Sequence, residues 1–209
     1  NGTDKDLSQA FQWYMKSAEQ GQPYAAYAAA QMYNKGEYVS KDENQAQEYY
    51  KQALAGFLEL ESKNQADDNL FYKIGIMYKN GLGTDIDMDK AINYFMRSAE
   101  LNNANAKRTI ALEYLSGKHL ELDIEKGLEM LTECADRGDI MSCYKLGKIY
   151  FKGEIVYKDL NTSEKYFLKA SEKENQYALY SLGTCTWKKK NTILIKRLSI
   201  LKKLCSMKK

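Results

Sequence analysis

Proline and histidine are nearly missing from this chain of 209 residues: each occurs once, as Pro23 and His119. Short strands are punctuated by Pro and Gly clusters, and no alternating strand pattern is present either, so the shortage of proline points to an all-helical protein. A single imidazole also removes most chemistry that depends on one, because any Ser/His/Asp or Cys/His mechanism would have to use His119. The four cysteines, Cys134, Cys143, Cys185 and Cys205, have no CxxC spacing and only that histidine to join them, which argues against a zinc site. Strictly apolar stretches are a few residues long, so no segment spans a bilayer. No basic, apolar, small-residue leader follows Asn1, and the chain reads as a cut or processed piece.

What is present is 44% apolar and 28% charged, neither disordered nor membranous, and long enough for one compact domain or one elongated array. The formal charge of +3 conceals an asymmetry. Nine basic residues and no acidic ones follow Gln176, leaving 22 basic against 28 acidic before it, a net of −6. The body should repel polyanions weakly and the tail attract them.

A repeat organises the chain. Gly or Ala is followed three residues later by Tyr at Ala30/Tyr33, Gly75/Tyr78, Ala111/Tyr114 and Gly147/Tyr150, and the first position recurs at Gly183, in steps of 45, 36, 36 and 36 residues. A second Gly follows each Tyr by three (Gly36, Gly81, Gly117, Gly153), and an Asp follows that by six (Asp42, Asp87, Asp123, Asp159, with Asp6 in phase). Four residues after each Asp stands a small residue, Ala10, Ala46, Ala91, Gly127 or Ser163. An aromatic or large apolar pair follows, as in Tyr49/Tyr50, Tyr94/Phe95 and Tyr166/Phe167.

Each unit therefore holds two helices, the first ending near the inter-helix Gly and the second starting near the Asp. Glycine adopts positive φ without steric penalty at a helix exit, and Asp caps free N–H groups at a helix start. A mid-helix Gly such as Gly75 or Gly147 costs roughly 1 kcal/mol against Ala, so its repetition implies close approach of a neighbouring helix. One such unit cannot bury both apolar faces, whereas stacked units share a core.

The run from Tyr72 through Gly75, Tyr78, Gly81 and Gly83 to Asp85, followed by Asp87, Ala91, Tyr94-Phe95 and Ser98-Ala99-Glu100, closely resembles the Sel1-like repeat. Trp13-Tyr14-Met15-Lys16-Ser17-Ala18-Glu19-Gln20-Gly21 resembles the end of another copy. The resemblance implies a right-handed α/α superhelical solenoid of about five helix-turn-helix repeats over residues 1–185. The tetratricopeptide repeat, of about 34 residues, fits the period less well.

Three departures from the pattern carry expectations. The 45-residue step holds nine extra residues, best placed around 58–68, where a second helix lengthens or ends in a loop. Gly2-Thr3-Asp4-Lys5-Asp6 repeats the pattern of Gly83 to Asp87, so the chain is expected to open at an inter-helix turn with its first repeat truncated, part of a longer protein. After Gly183 the register is lost, and 186–209 forms a basic tail with Leu194, Leu198, Leu201 and Cys205 at helical spacing. Three readings of the tail stand side by side: a helix that covers the end of the stack, a frame change or divergent end, and an amphipathic helix for an anionic membrane or nucleic acid.

No motif argues for an enzyme or a cofactor. His119 lies two residues after Gly117 and reads as an exposed loop histidine. Asp85, Asp87 and Asp89 resemble the start of a calcium loop, but Lys90 and Met96 stand where that loop needs Gly and Glu, so capping is the expectation. Gly81-Leu82-Gly83 lacks a following Lys-Ser/Thr and cannot cradle phosphate. Some secreted Sel1-like proteins staple helices with a disulfide. Cys143 falls where the resemblance implies a Cys, but Cys134 is one residue out of place, about 100° around its helix. Two buried thiols, and from them a cytoplasmic location, are expected, with a periplasmic or secreted one the alternative if a leader has been removed.

Function is then left to the surface. With positions −1 and +3 from the repeat Gly facing the core, −3, −2, +1 and +4 lie on the other side of the first helix. That side holds Tyr27, Tyr72, Arg108, Tyr144 and Tyr180 at −3, Lys73 and Lys145 at −2, and Lys148, Lys79 and Phe151 at +1 and +4. In such solenoids first helices line the concave side, and Tyr and Arg often anchor interfaces. The same tyrosines also suit packing between repeats. The expected function is a non-catalytic, monomeric protein-binding scaffold of bacterial type. It would take a partner polypeptide in the groove and no small-molecule substrate. The alternative is an accessory region of a nucleic-acid-processing protein such as a mobilisation relaxase.

Overall fold

Each turn inside a repeat is closed by one recurring backbone bond, and the computed structural model, which describes residues 2–172 and 176–206, shows it four times. The Asp N–H donates to the carbonyl of the Tyr nine residues before it: Asp42 to Tyr33, Asp87 to Tyr78, Asp123 to Tyr114 and Asp159 to Tyr150, at 3.0, 2.9, 3.1 and 3.0 Å. Between them Gly36, Gly81, Gly117 and Gly153 take φ of 61–71°, a left-handed conformation that Gly adopts without a Cβ clash. The Asp carboxylates accept from the N–H groups of Gln45, Lys90, Lys126 and Thr162, three residues into the next helix. Tyr, Gly and Asp of the sequence pattern are thus the three parts of one hairpin.

Among the described residues there are ten helices and no strand. They are α1 (Gly2–Glu19), α2 (Pro23–Lys35), α3 (Glu43–Ser62), α4 (Asp68–Asn80), α5 (Met88–Glu100), α6 (Ala104–Ser116), α7 (Ile124–Asp136), α8 (Ile140–Lys152), α9 (Leu160–Ser171) and α10 (Gln176–Ser206). Two units divide the chain, residues 1–110 and residues 111–209. No helix among the described residues is long and apolar enough to cross a membrane.

In the first unit, α2 packs on α3 and α4 on α5. A Cβ placed on Gly75 would lie 2.7 Å from the Phe95 ring, and one on Gly56 would lie 2.7 Å from Pro23, so small residues set both helix separations. Phe57, Phe95, Leu70, Ile74 and Met77 are fully buried around these crossings. On the flank the repeat Tyr stacks nearly parallel on the second-helix Tyr, Tyr33 on Tyr49 and Tyr78 on Tyr94, both with centroids 5.8 Å apart. The second unit repeats the scheme in α8 and α9, with Gly147 against Phe167 (2.6 Å to an added Cβ) and Tyr150 stacked on Tyr166. Its core also holds Leu115, Leu131 and Leu146.

A second cap series begins the first helices. Asp67, Asn103 and Asp139, 36 residues apart, accept from the N–H of Leu70, Ala106 and Ser142. In α2 the equivalent Gln22 makes no such bond, and Pro23 at the first position has no N–H to satisfy.

The extra residues near 58–68 go mainly into helix: α3 has 20 residues where α5 and α7 have 13. Two expectations are corrected. The segment Gly2 to Asp6 is already helical, as the first turn and more of α1, and is not an inter-helix turn. His119 is only 25% exposed at its side chain, and its Nδ1 lies 2.8 Å from the Glu113 carboxylate, so it folds back on α6 instead of projecting from the loop. In the tail, α10 runs without a turn through Lys189, and Leu194 is exposed. The side chains of Leu198, Leu201 and Cys205 lie outside the described residues.

Candidate binding face

The first helices carry the ten residues singled out from the sequence, five in each unit. Tyr27 on α2 and Tyr72 on α4 are half-buried at their roots. The Tyr27 ring meets Tyr50 edge-on at 5.5 Å, and Tyr72 lies 5.6 Å from Phe95. Burial, and then the neighbouring Tyr72, push the Tyr27 phenol above its usual range. Lys73 reaches across repeats to set its Nζ 5.0 Å from the Tyr27 ring centroid, so Tyr27, Tyr72 and Lys73 form one cluster. Lys79 is half-buried in the last turn of α4, apart from that cluster. Arg108 on α6 is held by Asn105, whose Oδ1 accepts from its Nη2 at 2.6 Å.

In the second unit Tyr144 on α8 lies 6.0 Å from the Phe167 ring and Phe151 lies 6.4 Å from it, so both aromatic rings rest on the same buried phenyl. Lys148 projects over Tyr144 at 5.7 Å, Lys145 is half-buried, and Tyr180 on α10 is 79% exposed. Tyr27, Tyr72 and Tyr144 are thus seated within their repeats by ring contacts, whereas Tyr180 stands exposed.

Two hollows flank α8. One, of about 260 Å³, has an aliphatic floor of Leu112, Leu115, Ile149 and Ile155 and a rim of Lys145, Lys148 and Lys152. The other, of about 180 Å³, is walled by Phe151, Phe167 and Tyr180 with Lys148 and Lys152 again at its edge. Lys188 on α10 holds its Nζ 4.5 Å from the Phe151 ring. Lys152, Lys188 and the aliphatic floor were missed from the sequence, because they come together from helices some 40 residues apart.

The cysteines of the second unit are interior. Cys134, Cys143 and Cys185 are buried, and burial raises the Cys143 thiol above its usual range. Asp87 spends its carboxylate on capping Lys90 and pairing with its ammonium at 3.1 Å. No group of three or more His, Cys, Asp or Glu among the described residues is placed to hold a metal ion.

Helix hairpins of this kind, joined by one recurring turn and set at close range by small residues, define an α/α solenoid repeat protein. The chain belongs to the Sel1 repeat family, whose pattern matches residues 1–22, 23–56, 72–103, 110–139 and 140–175. Among solved structures it is similar to a Sel1 repeat protein from Oxalobacter formigenes, with 24% identity and a TM-score of 0.63 over 82% of this chain and 65% of that one. It is also similar to a protective antigen present in uropathogenic Escherichia coli strains and displaying an SLR fold, with 27% identity and a TM-score of 0.59 over 85% of this chain and 36% of that one. The chain thus spans under two thirds of the length of either. Sel1 repeat proteins are in general non-catalytic scaffolds for protein–protein interaction.

Proposed function

We propose that this chain is a non-catalytic scaffold that binds a partner polypeptide along the first helices of its repeats. The carrying observation is the pairing of half-buried, rigidly seated tyrosines with lysines above them, Lys73 over Tyr27 in one unit and Lys148 over Tyr144 in the other. Rings already fixed by Tyr50, Phe95 and Phe167 lose little freedom when a partner covers them, and the lysines steer acidic segments toward them. The second helices supply the buried phenylalanines and leave the first helices as the presenting surface.

For the tail, the contacts of α10 support the covering role. Cys185 is buried against Ser163 of α9, and Glu164 accepts from Thr186 and Lys189. We read residues 1–185 as the array and 186–209 as its terminal piece.

A photo-crosslinking amino acid placed in turn at Lys73, Lys79 and Lys148, and at the second-helix positions Glu48 and Lys165, tests the reading in extracts of the source organism. Partner adducts are expected from the first set. Adducts confined to Glu48 and Lys165 would overturn it.

A further inference from the structure

The two hollows beside α8 deepen that reading and rest on it, because they specify what the partner would carry. At about 260 and 180 Å³ they fall below the roughly 300–1,000 Å³ of small-molecule sites, and each has the size of a side chain. Their floors are aliphatic in one case and aromatic in the other. Lys148 and Lys152 wall both, so the hollows lie on opposite flanks of α8, one toward α6 and one toward α10. Neighbouring packed helices stand about 8–10 Å apart. A polyproline-II chain has three residues per turn and advances about 3.1 Å per residue, so side chains three residues apart share one face and match hollows in adjacent grooves.

Charge selects the remainder of the ligand. Lys145, Lys148 and Lys152 rim the first hollow, Lys188 stands beside the second, and Glu154, 3.3 Å from Lys152, is the carboxylate that lines either. The chain before Gln176 is net acidic, so this cationic patch is local and does not reflect overall composition. Nucleic acid is the weaker fit, since recesses closed by Leu, Ile and Phe receive side chains, whereas a strand needs a continuous basic track with open stacking faces.

We propose that the α8 face of the second unit binds an acidic peptide segment in the polyproline-II conformation, with bulky apolar side chains at positions i and i+3 seated in the two hollows and intervening carboxylates facing Lys145, Lys148 and Lys152. The peptide crosses α8 from the aliphatic hollow to the aromatic one.

The test uses the full chain and a fluorescein-labelled peptide, Asp-Glu-Leu-Asp-Glu-Leu-Asp-Glu, in fluorescence anisotropy at low salt. Saturable binding is expected, at least tenfold weaker when both Leu are replaced by Ser or when the acids become Asn and Gln. Lys148→Glu with Lys152→Glu should abolish it, and Thr184→Trp, which fills the aromatic hollow, should weaken it tenfold or more. Tyr180→Ala removes an exposed wall of the same hollow without touching the core. Circular dichroism melts confirm that each variant is folded. Lys165→Glu, on the second helix α9 and away from both hollows, should change nothing.

No saturable binding up to millimolar peptide, or binding indifferent to the Leu residues, would overturn the proposal. So would tighter binding of oligo-dT or of phosphatidylserine vesicles that competes with the peptide and is lost in the same lysine variants. If peptides selected from a random library lose binding with Lys73→Glu and keep it with Lys148→Glu, this site is wrong while the broader scaffold reading stands.

Discussion

The hydroxyl of Tyr94 donates to the carboxylate of Glu61 at 2.8 Å, tying the end of α3 to α5. The same carboxylate pairs with Arg97, whose guanidinium lies 4.0 Å over the Phe71 ring. Burial, followed by Glu61, keeps the Tyr94 phenol well above its usual range, so it remains a donor across any working pH. Glu61 stands in the extra segment of the 45-residue step, and the lengthened helix ends where it can dock on the next repeat. Glu61→Ala should destabilise the first unit by about 1 kcal/mol, discounted because Arg97 is more than a third exposed. Urea unfolding checks the value, and a cycle with Tyr94→Phe should show coupling between the two residues.

Gly147 marks the closest approach of α8 and α9, and Ser163 donates to its carbonyl at 2.8 Å, so the helices touch through both backbone and side chain. Ala at 147 would gain about 1 kcal/mol of helix propensity but drive its Cβ to 2.6 Å from the Phe167 ring. Overpacking of this kind costs about 1–3 kcal/mol, so Gly147→Ala should be destabilising on balance. Adding Phe167→Leu should recover part of the loss. Thermal melts of the single and double variants decide the matter, and a Gly147→Ala protein that melts higher than the parent would refute the close-contact account.

Asn103 uses both ends of its amide. Its Oδ1 accepts from the Ala106 N–H at 3.0 Å, and its Nδ2 donates to the Asp68 carboxylate at 2.9 Å, so one buried side chain caps α6 and holds the start of α4. Asn103→Ala loses both bonds and should cost about 1–2 kcal/mol, whereas Asn103→Asp keeps the cap and sets a carboxylate against Asp68. Denaturant midpoints should rank Asn103 above either variant.

The contrast between the two cap series explains what the sequence could and could not tell. Asp42, Asp87, Asp123 and Asp159 share one residue type at a fixed distance from Tyr and Gly, and every part of the turn they build is local, so the hairpins were legible. Asp67, Asn103 and Asp139 do the same work with two residue types, and Gln22 breaks the series, so the pattern hides. The tyrosine column was legible as a face because side-chain direction follows helix period. Its ring partners Tyr50, Phe95 and Phe167 were not, since helical spacing says nothing of which second-helix side chain comes opposite. The hollows beside α8 need Leu112 and Tyr180 together, which only the stacking of repeats supplies.

Two of the turn-capping carboxylates, Asp87 and Asp159, tie the stability of the fold to pH. Hydrogen bonds from Lys90 hold Asp87 below the usual carboxylate range, and those from Thr162 do the same for Asp159. A group with a lowered folded pKa contributes stability that is complete above its unfolded value and is lost as pH falls through the folded one. The array should therefore melt at a steady temperature above about pH 5 and at falling temperatures once the pH drops below the ordinary Asp value of about 3.9 and on through the lowered values of Asp87 and Asp159. Asp87→Asn with Asp159→Asn keeps an acceptor oxygen at each cap and removes the titration, so the variant should start from a slightly lower melting temperature and show a shallower acid decline. Melting followed by circular dichroism from pH 3 to pH 7 makes the comparison; an acid decline as steep in the double variant as in the parent would show that the caps do not govern it.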